Sequence, residues 1–245
     1  MPTLILTPRQ TEDTQSLWKA AARLGWSTER LGGWRIPDHV RSIDEPVLYA
    51  EALFGPDFAE QLGLHLLSPP DDWLVGLPME YKSRTIRLTT LGEARLLDRP
   101  MFVKPPNDKT FPAQAYTGAT LPTGYDDDMP VLVSDLVEWD AEFRCFILDR
   151  VLHTFSVYSR GGELQREQGF HSSAAEDEAL RAFVDRVLAD PRVILPKATV
   201  LDVGTLRDGR WACVEQNAAW GAGIYGCDPE RVLDVVRAAS SRPTH

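Results

Sequence analysis

The chain has 245 residues, with 26 Lys or Arg against 36 Asp or Glu and a formal charge of −10. That length and apolar content suit one large domain or two to three small lobes and exclude a disordered chain. The acidic balance, with no basic run, excludes a nucleic-acid backbone as main partner. Cys145, Cys213 and Cys227 share no CxxC spacing and leave an odd count, which predicts a reduced, cytoplasmic setting with the thiols as small buried hydrophobes. MPTLILTPRQ lacks the basic start and long apolar core of a signal peptide, and no apolar run approaches the ~18 residues of a membrane span. No membrane partner is expected.

The opening TLILTP reads as a short buried strand. DTQSLWKAAARLG follows as a helix with Leu17, Ala21 and Leu24 on its apolar side and Gly25 as its stop. PVLYA, GPDFAEQLG and LHLLSPP repeat the alternation, which predicts a small open α/β unit over residues 1–75, bounded by the proline- and acid-rich SPPDDWLVGLP. SRTIRLTT, a helix around LGEARLLD and the strand MFVKP come next. VLVSDLVEW, EFRCFILD and VLHTFSVYS read as successive antiparallel strands, the last two joined at Asp149-Arg150. SSAAEDEALRAFVDRVLADP is a helix with capping-box spacing between Ser173 and Glu176 and Pro191 beyond its end. A hairpin over 198–217 and a helix opened by Asp228-Pro229 come last. The plan is α+β in three lobes: residues 1–75, 76–133 and 134–245.

Within DVGTLRDGRWACVEQN, Asp208-Gly209 is the dipeptide preferred at the centre of a type I′ turn. That turn sets Arg207 opposite Arg210 and Asp202 opposite Glu215, with Asn217 on the Glu215 face. Facing carboxylates whose Cβ atoms are about 5 Å apart repel. Either they splay into water, or a hard cation such as Mg²⁺, which takes one or two carboxylates and completes its shell with water and phosphate, reconciles them. Removing one facing charge, as in Glu215→Gln, is expected to leave the fold intact or slightly more stable.

This stretch resembles the metal-binding end of the ATP-grasp superfamily, in which an Asp on one strand and Glu-x-Asn on the next hold two magnesium ions against nucleotide phosphates. The resemblance continues in chain order through FVKP, VLVSDLVEW, EFR and VEQNAAWGAG, the last matching E-x-N-P-x-x-G with Ala218 where proline is usual. It implies an ATP-grasp fold, two α+β lobes gripping ATP (76–133 and 134–245), preceded by a small α/β pre-ATP-grasp domain. It also implies that Asp202, Glu215 and Asn217 hold Mg²⁺, with Mn²⁺ as an alternative, and that Lys104 touches the phosphates. Adenine would meet the backbone of Leu136, Val137 and Glu138 next to the hinge acid Asp135, and Glu142 would hold the ribose. LP…R and FVKPPNDKTF look most like a small bacterial and phage branch. Three features depart from the common pattern: no glycine- and serine-rich flap follows Lys104, Val200 stands where a basic residue is frequent, and the first-lobe lysine is not evident, leaving Lys82, Arg84 or Arg87 to assist the phosphates.

Arg144 lies on the strand face of Glu142, where it either pairs with an acid on a neighbouring strand or holds a phosphate or carboxylate oxygen. Arg160, at the end of FSVYSR, is a second such candidate, and SRGGELQREQGF is the candidate closing lid. Lys109 is a loop residue that either stays solvated or joins the phosphate site, and Asp126 to Asp128 read as a solvated loop. GAGIYG has the letters of a dinucleotide fingerprint but no following strand with an acid, so its glycines read as a close backbone approach to a substrate. His39, His65, His153, His171 and His245 show no metal spacing, no Ser has a G-x-S-x-G setting, and no Cys has an activating partner. Zinc chemistry and hydrolase triads are thereby excluded. The resemblance implies an ATP- and Mg-dependent ligase that joins a carboxylate to an amine, an amino acid or peptide among the candidates, through an acyl phosphate. A small-molecule phosphotransferase and a non-catalytic nucleotide-binding module are the alternatives. The sequence leaves the oligomeric state open.

Overall fold

Residues 1–106 and 110–242 are described by the computed structural model, so Lys109 and His245 lie outside the described residues. β1 (Thr3–Leu6) leads into α1 (Glu12–Arg23). The start of α1 is fixed by a capping box in which the Thr14 N–H donates to Thr11 Oγ1 at 3.1 Å and the Thr11 N–H to Thr14 Oγ1 at 3.0 Å. Its buried stripe is Leu17, Ala20 and Ala21, whereas Leu24, expected on that stripe, caps the helix and is exposed. β2 (Ser27–Arg30), α2 (Asp38–Arg41), β3 (Pro46–Tyr49), α3 (Gly55–Leu62) and β4 (His65–Leu66) follow. β1 lies between β2 and β3, parallel to both. The polar STER of β2 has no alternation to announce a strand, since it is an edge with only partial burial. β4 does not join this sheet and pairs antiparallel with Ser240–Ser241.

The boundary segment holds two short helices, α4 (Trp73–Gly76) and α5 (Met79–Lys82). Then come β5 (Ile86–Thr90), α6 (Leu91–Ala94), β6 (Met101–Lys104), β7 (Gln114–Tyr116) and β8 (Pro130–Ser134), which form a sheet in the order β5-β8-β6-β7. Leu91, Val103, Phe111, Tyr116, Val131 and Val133 pack one face of it.

Residues 135–138 carry the chain out of this sheet into a second one. β9 (Trp139–Leu148), β10 (Val151–Arg160), β11 (Glu163–Leu164), α7 (Ala174–Ala189), β12 (Ala198–Leu206), β13 (Trp211–Asn217), α8 (Pro229–Arg237) and β14 (Ser240–Ser241) complete the described elements. The second sheet has the order β11-β10-β9-β12-β13. VLVSDLVEW is therefore not the first of three successive antiparallel strands, because β8 hydrogen-bonds to β5 and β6 instead. Asp149 and Arg150 have φ of 49° and 61°, the left-handed pair of a type I′ turn.

One face of the second sheet is closed by α7, whose Leu180, Phe183, Val184 and Val187 meet Phe143, Cys145, Ile147, Leu201 and Val203. On the other face Phe146 and Val200 share a core with α1, α8, β1 and β3. One strand step further along that face, Phe146 gives way to Arg144 and Val200 to Asp202. The apolar end anchors the first α/β unit and the polar end is left for chemistry. Cys145, Cys213 and Cys227 are free and buried. Among the described residues no helix is long and apolar enough to cross a membrane.

Candidate active site

The hairpin brings Asp202 opposite Glu215 as expected, but by another route. The turn is not a two-residue type I′ turn with Arg207 facing Arg210. Leu206 pairs with Arg210 across a three-residue loop, with Leu206 N–H to Arg210 O at 2.8 Å and Gly209 at φ +83°. That register sets Val203 against Cys213, and a β-bulge between Asp202 and Val203 then restores the Asp202–Glu215 pairing.

The three oxygen-bearing side chains meet. Asn217 Nδ2 donates to Asp202 Oδ2 at 3.1 Å and to Glu215 Oε1 at 3.0 Å. Each carboxylate also has a cation. Arg144, directly across from Asp202 on β9, donates through Nε to Oδ1 at 2.9 Å and through Nη2 to Oδ2 at 2.6 Å. Lys104, from β6 of the other sheet, donates through Nζ to Glu215 Oε2. Burial alone pushes the Asp202 carboxyl up, and it stands at about 6 even against Arg144. Burial also opposes ionisation of Glu215, but the Lys104 ammonium, with Asn217 and Arg144, outweighs it and holds that carboxyl at about 2. The two facing acids thus differ in environment, which lets both sit in one place.

Of the alternatives for Arg144, the structure shows the internal ion pair. Its third nitrogen donates to Gly223 O at 2.9 Å, and its guanidinium lies over the rings of Tyr158 and Tyr225 at 5.5 and 4.8 Å from their centroids. Tyr158 also donates to Glu142 Oε2 at 3.0 Å, and burial raises the Glu142 carboxyl above its usual value. Glu142 and Arg144 share a strand face, as their spacing predicts. Arg160 stands at the end of β10 and donates to Glu176 Oε1 at 2.7 Å. The segment after it carries Arg166, which pairs with Glu12 on α1, and Phe170, whose ring centroid is 5.8 Å from that of Tyr225.

Asp135 ties the crossover to β5, accepting from Thr85 N–H at 2.9 Å while its own N–H donates to Thr85 O at 3.0 Å. Leu136 is exposed, and Glu138 pairs with Arg207. Of the first-lobe basic residues, Lys82 turns away to Val75 O at 2.6 Å and Arg87 is exposed on β5. Arg84 is buried against β13. Asp126, Asp127 and Asp128 are exposed, as expected.

Tyr158, Tyr225 and Asp13 are site residues that the sequence reading did not single out. Asp13 Oδ2 accepts from Ile224 N–H at 3.1 Å, and burial raises its carboxyl. Gly223 explains part of GAGIYG: a Cβ there would lie 3.3 Å from Asp13 Oδ2 and 3.6 Å from Arg144 Nη1, so the backbone threads between them. The only advance signal for Tyr225 was its place inside that glycine run.

Among the described residues no group of three or more His, Cys, Asp or Glu is set to hold a metal. The set here is instead two carboxylates and an amide, a hard-oxygen arrangement that fits Mg²⁺ or Mn²⁺ completed by phosphate and water. Lys104, Arg144 and the Asn217 N–H groups now balance the charge that a cation would balance, and a half-turn of the Asn217 amide presents its oxygen to the same point. The residues fit the ion.

A comparison with curated proteins returns no match. Among solved structures, the chain resembles a RimK domain ATP-grasp protein from Sphaerobacter thermophilus DSM 20745 (16% identity, 96% of this chain and 99% of that one, TM-score 0.58). It also resembles the D-cycloserine synthetase DcsG (14%, 96% and 98%, TM-score 0.62). D-alanine–D-alanine ligase from Bacillus anthracis shares the fold as well (14%, 97% and 96%, TM-score 0.55). The model of an ATP-grasp domain family, the second family of its clade, matches residues 81–235, and the chain belongs to that ATP-grasp family.

Proposed function

We propose that this protein is an ATP- and Mg²⁺-dependent ligase joining a carboxylate to an amine. The observation that carries the reading is the meeting of Asp202, Glu215 and Asn217 with Lys104, which reaches them from the opposite sheet. Membership of an ATP-grasp family supports it. So does a fold shared with a D-alanine–D-alanine ligase complexed with ATP and with the ATP-grasp ligase PsnB complexed with a minimal precursor.

Asp202, Glu215 and Asn217 hold the divalent ions, Mg²⁺ or Mn²⁺. When bound, the metal neutralises charge on the phosphates. Lys104 exchanges its carboxylate for a phosphate oxygen, and the backbone of Leu136, Val137 and Glu138, following Asp135, borders the adenine. Glu142, oriented by the Tyr158 hydroxyl, holds the ribose. Arg144 acts on Asp202, and Arg160 serves the phosphate or carboxylate side from the base of the 159–170 lid. A substrate carboxylate oxygen attacks the γ-phosphorus and ADP leaves; the amine then attacks the acyl carbon, releasing inorganic phosphate and a proton. Catalysis is chiefly positioning and electrostatics, and the lid keeps water from the acyl phosphate. The substrates are small carboxylates and amines, with an amino acid or peptide as the first class to test. The chain is divided functionally at residues 75 and 133, with 1–75 preceding the two gripping lobes.

Calorimetry with ATP and Mg²⁺, followed by an ADP- and phosphate-release screen over acid and amine pairs, tests this. Release of both in step with an amide product is expected. ADP with a stable phosphorylated product indicates a phosphotransferase, and ATP binding without turnover across the screen indicates a binding module. Lys104→Ala should weaken ATP binding about tenfold or more; unchanged affinity removes Lys104 from the phosphate site.

A further inference from the structure

Between Asp202 and Val203 the pairing of β12 with β13 shifts by one residue, and Val214 is the extra residue on β13. Strand side chains alternate between faces, so one inserted residue moves every later side chain to the opposite face. Without the bulge, Val214 would stand opposite Asp202. Glu215 and Asn217 would then point with Leu201 and Cys213 into the apolar layer under α7. The bulge, more than the turn, is what gathers the three donors.

It sits at the edge of its sheet, where its carbonyls have no strand to pair with. One side chain takes them. Arg84 Nη1 donates to Cys213 O at 2.9 Å and Nη2 to Val214 O at 3.1 Å, while Nη1 also donates to Lys82 O at 2.9 Å. Its guanidinium lies 5.1 Å from the Trp139 ring centroid. Ser83, in the left-handed region at φ 51°, turns the chain out of α5 so that Arg84 faces this edge. A planar fork spans two adjacent carbonyls, which a lysine ammonium on one stem does not.

We propose that Arg84 is a positioning residue for the divalent-cation site. It enters from the segment that leads into β5 of the four-stranded sheet and pins the bulge that sets Glu215 and Asn217 beside Asp202. The cation site is therefore complete only while the β5 segment is docked against β13. This rests on the metal reading above and differs from a direct contact of Arg84 with phosphate.

Mn²⁺ titration of the nucleotide-free protein, read by the paramagnetic signal of free Mn²⁺, tests it in the wild type, Arg84→Lys and Arg84→Gln. ATP binding in excess chelator is measured in parallel. Both variants should bind Mn²⁺ about tenfold or more weakly, with metal-free ATP affinity within about twofold of wild type. Wild-type Mn²⁺ affinity in both variants overturns the proposal and leaves the metal reading standing. Lost ATP affinity with unchanged Mn²⁺ binding shows a phosphate contact instead. Equal loss of both shows general disruption and also overturns it. A wild type that binds no Mn²⁺ overturns the metal reading itself.

Discussion

Asp202 is fully buried, and its oxygens take three N–H groups, two from Arg144 and one from Asn217. Glu215 sits beside it, partly exposed, against a Lys104 side chain that is 15% exposed. This contrast decides what neutralising either acid does. Asp202→Asn strands a buried guanidinium and should cost about 3–5 kcal/mol. Glu215→Gln leaves Lys104 near enough to water to snorkel, so a loss of about 1–2 kcal/mol is expected. Urea unfolding of the two variants in metal-free buffer checks the order. The second value reverses the expectation that removing a facing charge relieves repulsion, since Lys104 already offsets it. The acids were legible in the sequence as Asp and Glu-x-Asn. Their counter-ions lie 58 and 111 residues away along the chain, so the Arg144 pair remained one of two alternatives and Lys104 was read only as a phosphate ligand.

At the scale of the element, local chemistry was readable and tertiary chemistry was not. The α7 capping box follows from Ser173 and Glu176 alone, and both of its hydrogen bonds are present. What the sequence does not show is Arg160, arriving from β10 to bond the same Glu176. That bond, helped by Ser173 and opposed by partial burial, draws the Glu176 carboxyl from 4.5 to about 2. A lowered acid pKa contributes stability that is present above the unfolded value and is lost as pH falls toward the folded one. Glu176→Gln keeps the neutral cap but not the charge. It should be less stable than wild type by about 1 kcal/mol at pH 7, and the gap should narrow as pH falls below 4.5. Denaturant midpoints along that series check it. The hairpin shows the opposite failure. Asp208-Gly209 suggested a two-residue turn, yet Gly209 at φ +83° closes a longer loop, and the bulge that corrects the register carries no residue signature of its own.

For the molecule as a whole, the ATP-grasp order of strands was legible because the resemblance ran through the chain in sequence. The joining of the first α/β unit to the rest was not, because its packing residues come from both ends. β1, α1 and β3 share one core with Trp220, Ile224 and α8. Trp220 is the fastener: its Nε1 donates to Leu67 O at 3.0 Å, its carbonyl accepts from Ala50 N–H at 3.0 Å, and its ring lies on Gly55. A Cβ built on Gly55 would overlap that ring, so Gly55 is required here for close approach, at the first residue of α3. Gly55→Ala should displace the indole and cost about 1–3 kcal/mol by overpacking. For a chain of this size that corresponds to a melting-point loss of about 2–4 °C per kcal/mol. Because Trp220 follows Asn217 by three residues, the same displacement pulls on the strand end that carries the site. Gly55→Ala should accordingly lower Mn²⁺ affinity as well as stability, whereas Gly63→Ala, at an open position at the end of the same helix, should lower stability alone. Melting curves and Mn²⁺ titrations of the two alanine variants distinguish a unit that is merely attached from one that holds the site in place.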